Sequence, residues 1–125
     1  MKSPGSWTVE GLFEGRPTAF KLFRMIRRYI ESLGPVKLEG AKTQVSFGSR
    51  RKFAWVWLAQ MWIKKRPETS VTLMFDLGRK IKHDRIESAV EVRPGRWTHH
   101  VVIEKASDLD EDVRSWLQEA YAFGS

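Results

Sequence analysis

A chain of 125 residues, 42% hydrophobic and 30% charged, has the size and composition of one globular domain, residues 1–125 with an ordered core over about 7–121. Without cysteine it can build no disulfide, zinc ribbon or thiol nucleophile; with no apolar run near the ~18 residues of a membrane span it is expected to be a cytoplasmic protein, not a membrane protein. The net charge of +7 is polarised, residues 1–66 holding 14 Lys and Arg against 4 Asp and Glu, and residues 104–125 holding 2 against 6, a balance that favours anionic partners.

Thr8 can cap a short helical turn over Val9–Phe13, with Trp7 just before it. Gly15-Arg16-Pro17 breaks that turn, and proline suits the first position of a new helix. From Thr18 to Leu33 the residues Ala19, Leu22, Phe23, Ile26, Tyr29, Ile30 and Leu33 recur at helical spacing, while Lys21, Arg24 and Arg28 share the opposite side. Gly34-Pro35 stops this helix.

The middle of the chain reads as strands. Val36–Glu39 is short, and Thr43–Phe47 alternates after a turn at Gly40-Ala41-Lys42. Phe53–Ile63 is apolar on both faces, with Phe53, Trp55 and Trp57 on one and Val56 and Leu58 on the other; it is one central strand, or two strands kinked near Ala59-Gln60. Val71–Leu77, Ala89–Val92 and Trp97–Ile103 follow, the last two joined by a tight turn at Pro94-Gly95. The end returns to a helix, since Leu109, Val113, Trp116, Leu117, Ala120 and Tyr121 keep helical spacing behind the capping residues Ser107, Asp108 and Asp110. The order predicts a two-layer α+β domain, a curved, mainly antiparallel sheet with its N-terminal and C-terminal helices packed on one face.

Trp7-Thr8-Val9-Glu10, Leu33-Gly34-Pro35, Lys42 to Phe47, Lys52-Phe53-Ala54-Trp55-Val56-Trp57, Trp97-Thr98-His99-His100-Val101 and Asp110 to Tyr121 together resemble one family, the bacterial domain of unknown function 5655 (DUF5655). The resemblance covers about Trp7 to Tyr121. It implies a fold close to the one above and a bacterial cytosolic protein, and it brings no activity.

Catalytic chemistry finds little purchase. His99 and His100 are adjacent, so on a strand their imidazoles point to opposite faces and cannot share a metal; His83 is the third histidine, and no metal or cofactor is expected. No G-x-S-x-G elbow or G-x-G-x-x-G turn is present, and Gly40-Ala41-Lys42-Thr43 precedes a strand where a phosphate loop needs a helix. Asp76, Glu87 and Glu91 lie in the strand region, but Glu91-Val92-Arg93 has arginine where a nuclease E-x-K needs lysine.

Basic bends are the stronger signal. In a meander, the turns after Phe47 and after Leu77 fall at one end of the sheet and would gather Arg50, Arg51, Lys52, Arg79, Lys80, Lys82 and Arg85, with His83, into an anion-binding rim; Lys64, Lys65 and Arg66 would sit at the other end. A second locus is a pocket formed by Lys42, Thr43, Phe53 and Trp55 with His99 or His100, unless those rings are core under the helices. The leading expectation is a non-catalytic binding domain for an anionic partner such as nucleic acid. Its alternatives are a small-molecule-binding or enzymatic domain using the pocket, and a protein-interaction module presenting exposed tryptophan. Oligomeric state is left open.

Overall fold

The computed structural model describes residues 8–58 and 69–125. In chain order it holds α1 (Val9–Leu12), α2 (Pro17–Leu33), β1 (Lys37–Gly40), β2 (Gln44–Gly48), β3 (Lys52–Trp57), β4 (Val71–Leu77), β5 (Ser88–Arg93), β6 (Arg96–Ile103), a 3-10 turn at Ala106–Asp108 and α3 (Glu111–Gly124). The strands form one open antiparallel-paired sheet in the order β1-β2-β3-β4-β6-β5, with the helices on one face, so the α+β architecture is as expected. The expected extension of the third strand over Ala59–Ile63, and the basic run Lys64, Lys65 and Arg66, lie outside the described residues.

Local chemistry accounts for the boundaries. Thr8 Oγ1 accepts from Gly11 N–H at 3.0 Å to cap α1, and Asp110 accepts from Val113 N–H at 3.0 Å to cap α3. Pro17 opens α2 and Gly34 ends it at φ 149°, where a Cβ would fall 2.3 Å from Tyr121 Oη. That close approach lets Tyr121 donate to the Pro35 carbonyl at 3.0 Å and join the end of α2 to α3.

The core lies between sheet and helices. Pairing aligns Val45 with Val56, Phe47 with Ala54, Ala54 with Phe75, Val56 with Leu73, Leu73 with Val101 and Phe75 with His99, and every one of these side chains is buried on the helix side. α2 contributes Ala19, Leu22, Phe23, Ile26 and Ile30, the stripe its spacing requires, and α3 contributes Val113, Trp116, Leu117 and Ala120. Phe23 stacks on Phe13 at 4.9 Å and Trp116 on Phe75 at 6.0 Å. Burying each such large side chain stabilises the fold by roughly 1.5–3 kcal/mol.

Two irregularities matter for the site. A bulge pairs Phe47 with Ala54 but Gly48 with Lys52, leaving Phe53 as the extra residue. Phe53 is therefore fully buried against Tyr121 at 5.4 Å, on the opposite side from Trp55 and Trp57; the expected grouping of the three rings on one face is corrected by that single insertion. The second irregularity is topological. The chain leaves β4, passes β6 and enters the sheet again at its edge as β5, so residues 78–87 must cross about two strand spacings, roughly 10 Å.

Candidate functional site

The crossover carries most of the predicted basic residues, and α3 lies alongside it. Arg79 makes a two-pronged bond to Glu119, with both N–O distances 2.9 Å. That bond holds the Glu119 carboxyl below its ordinary range and pushes the Arg79 guanidinium higher still. Arg85 reaches Asp110 Oδ2 at 2.7 Å and the Asp108 carbonyl at 2.9 Å. His83 Nε2 lies 3.3 Å from Asp112, and its ring meets Trp116 edge-on at 5.0 Å. Lys80 stands over the Trp97 ring at 5.6 Å, while Lys82 is exposed.

The β2–β3 bend does meet the crossover at one end of the sheet, around Phe123. Arg51 donates to the Phe123 carbonyl at 2.9 Å and lies 4.9 Å over its ring, and a Cβ at Gly78 would fall 3.4 Å from the same ring. Arg50 is exposed, and Lys52 pairs with Glu39 at 3.3 Å. Only the start of the crossover meets the β2–β3 bend: His83 and Arg85 lie at the opposite end of α3, beside Asp112 and Asp110, so the expected single rim is not formed. Lys52, Arg79 and Arg85 are held by carboxylates. Those partners come from α3 and β1, too distant in the chain for local spacing to reveal.

The two histidines face opposite ways, as their adjacency requires. His99 is fully buried on the helix side, stacked on Phe75 at 5.2 Å, and its Nε2 accepts from the Ile81 N–H at 3.0 Å, pinning the crossover over β6. An accepting Nε2 puts the proton on Nδ1, which has no hydrogen-bond partner. Burial pushes this imidazole below its ordinary pKa, against smaller opposing effects of the Phe75 and Trp97 carbonyls and Asp76. His100 faces the open side with Nδ1 2.9 Å from Ser88 Oγ and Trp57 edge-on at 6.4 Å.

On that open side, Thr43, Gln44, Trp57, Met74 and His100 line a shallow cleft of about 470 Å³. Of the predicted pocket residues, Thr43 and His100 line it, and half-buried Trp55 occupies the same face opposite Met74. Phe53 and His99 do not, because both are core, and Lys42 is exposed at the preceding turn outside the lining. The carboxylates are dispersed as well. Asp76 is 2% exposed and bound by Arg96 at 2.5 Å and Thr98 at 2.6 Å, whereas Glu91 accepts from Gly95 N–H at 3.2 Å on the other face. Among the described residues no group of His, Asp and Glu could hold a metal, and no helix is long and apolar enough to cross a membrane.

A third locus was legible only as a helix surface. Lys21, Arg24 and Arg28 project along α2 at spacings of three and four, beside a groove of about 610 Å³. Leu22 and Met25 supply apolar wall, and Glu104, Lys105 and Ala106 form the far side. Ion pairs among the described residues engage Arg27, Lys52, Arg79, His83, Arg85 and Arg96, but none involves Lys21, Arg24, Arg28 or Lys105. Four cations therefore face one carboxylate. The sequence shows the helical stripe but not the groove, because residues 104–106 reach it only through the fold.

No curated protein and no solved structure matches this chain. A family model matches residues 9–124, which is nearly the whole chain from α1 to the last turn of α3, and the chain belongs to that family, Domain of unknown function (DUF5655).

Proposed function

We propose that this domain binds an anionic partner, nucleic acid, through the outer face of α2 and its groove instead of through the basic bends. The supporting observation is the contrast in pairing: the crossover arginines already have carboxylates, and among the described residues no ion pair involves Lys21, Arg24, Arg28 or Lys105. Lys21 to Arg28 spans about 10 Å of helix. With phosphates roughly 3.4 Å apart along each strand of a duplex, that length meets about three of them. Contacts of these cations to phosphate would set position without specifying sequence.

Titrating single- and double-stranded oligonucleotides across salt tests this. Four cations on phosphate give a duplex binding slope of roughly −3.6 in log K against log salt. The variant K21Q/R24Q/R28Q should flatten the slope by about one for each cation removed, while R79Q/R85Q should leave it in place. Equal slopes for the wild type and the α2 variant would reject the reading.

A further inference from the structure

The sheet face turned away from the helices departs from the polar surface that a solvated antiparallel face ordinarily shows. β3 sets Trp55 and Trp57 on it and β4 sets Met74, all three half-buried, while their helix-side neighbours Ala54, Val56, Leu73 and Phe75 are core. Register then builds the cleft across four adjacent strands. Gln44 stands opposite Trp57 and Met74 opposite His100, so the lining runs Gln44, Trp57, Met74, His100 from β2 to β6, with Thr43 at its margin. Trp57 meets His100 edge-on at 6.4 Å, and His100 is tied to Ser88 Oγ at 2.9 Å, so the indole has a braced wall beside it.

Two properties of this lining select a ligand. Among the described residues it contains no charged side chain, so it has nothing to offset the desolvation of a phosphate or carboxylate. Among the same residues the Gln44 carboxamide, the Thr43 hydroxyl and the Trp57 indole N–H make no hydrogen bond, which leaves polar groups at the edge of an apolar floor. A sugar, with hydroxyls all round, would press some of them onto Met74 and the indole without partners. A flat aromatic ring buries its faces and needs partners only along its edge. The volume of about 470 Å³ lies within the range of roughly 300–1,000 Å³ usual for small-ligand sites.

We infer that the cleft binds an adenine ring, stacked on Trp57 and hydrogen-bonded along its N6 and N7 edge by Gln44. A carboxamide presents one donor and one acceptor side by side, the pattern that meets the adenine N6–H donor and N7 acceptor in two bonds at once. Guanine and hypoxanthine put two acceptors on that edge, O6 and N7, and one of them would face the amide oxygen unpaired. Cytosine has an amino donor but a single ring, with less area to stack. Met74 adds a thioether contact to the ring. The cleft lies across the sheet from α2 and a nucleoside carries no phosphate, so this site stands or falls apart from the one proposed above.

Titrating the full chain with adenosine and with inosine, followed by protein NMR shifts, provides the test. Adenosine should saturate with a Kd of about 0.1–1 mM, independent of salt, and inosine should bind about fivefold more weakly or worse. Trp57→Ala should weaken adenosine about tenfold or more. Gln44→Leu keeps the size of a half-buried strand residue and should bind adenosine and inosine alike, while K21Q/R24Q/R28Q should bind adenosine as the wild type does. An oligonucleotide of about eight deoxyadenosines separates the two sources of the ring. If the adenine belongs to a strand, Trp57→Ala lowers the oligonucleotide's affinity without changing its salt slope; if it belongs to a free nucleoside, that affinity is unchanged. Both results keep the cleft as an adenine site. No saturation by adenosine up to about 5 mM, inosine bound as tightly by the wild type, or a Q44L variant that still prefers adenosine would overturn the inference.

Discussion

Asp76 and Arg96 form the most buried ion pair among the described residues, with side chains 2% and 15% exposed, and each is also tied elsewhere. Thr98 Oγ1 donates to the second Asp76 oxygen, and Arg96 donates to the Lys52 carbonyl at 2.9 Å, joining β6 to the start of β3. Removing one partner strands the other charge away from water, so Asp76→Ala and Arg96→Ala should each cost about 3–5 kcal/mol in urea unfolding. A double variant losing no more than either single would confirm that the two act as one unit. His99 sets a different expectation, tied to pH. Its folded pKa is depressed, chiefly by burial, so above the ordinary value of about 6.5 neither state binds the proton. Below that value the unfolded chain takes up the proton and the folded chain does not, so stability falls as pH falls until the folded pKa is reached. His99→Phe should cost about 1–3 kcal/mol near neutrality by orphaning the Ile81 N–H. Between about pH 7.5 and about pH 5.5, however, it should lose less stability than wild type does. Parallel pH curves for the two proteins would remove His99 as the source.

At the level of elements, the distinction is between what neighbours in sequence decide and what the fold decides. α2 was readable because Pro17, Gly34 and the apolar stripe are local signals, and β4 because Val71 to Leu77 sits between clear breaks. The face of Phe53 was not readable, since Phe53 is itself the extra residue between Lys52 and Ala54 and breaks the alternation that assigns it. Charge pairing was hidden for another reason. Arg79 and Glu119 are 40 residues apart, and Arg85 and Asp110 are 25 apart, and they meet because the crossover past β6 runs beside α3. The acidic start of α3, read from sequence as its cap, thus has a second task as the counterpart of the crossover. His99 belongs to the same construction, holding the middle of that segment at Ile81.

Across the whole molecule, net charge is distributed between a neutralised region and one left open. The crossover arginines, Arg79 and Arg85, pair with carboxylates of α3 and its cap, while Lys21, Arg24 and Arg28 repel one another along α2. Like charges at helical spacings of three and four each destabilise by about 0.2–0.5 kcal/mol. Their persistence is therefore a stability cost, unless their aliphatic stems cover Leu22 and Met25 well enough to offset it. Those two explanations predict opposite signs. If the stripe is held for an anionic partner, K21Q/R24Q/R28Q should be more stable than wild type at low salt, by roughly 0.5–1 kcal/mol from relieved repulsion. The advantage should shrink as the screening length falls from about 30 Å at 0.01 M to about 8 Å at 0.15 M. If instead the stems serve packing, the variant should be less stable by an amount that salt does not change. Urea unfolding at the two salt concentrations reads the sign directly, without an oligonucleotide, and so separates a surface kept for binding from one kept for the helix itself.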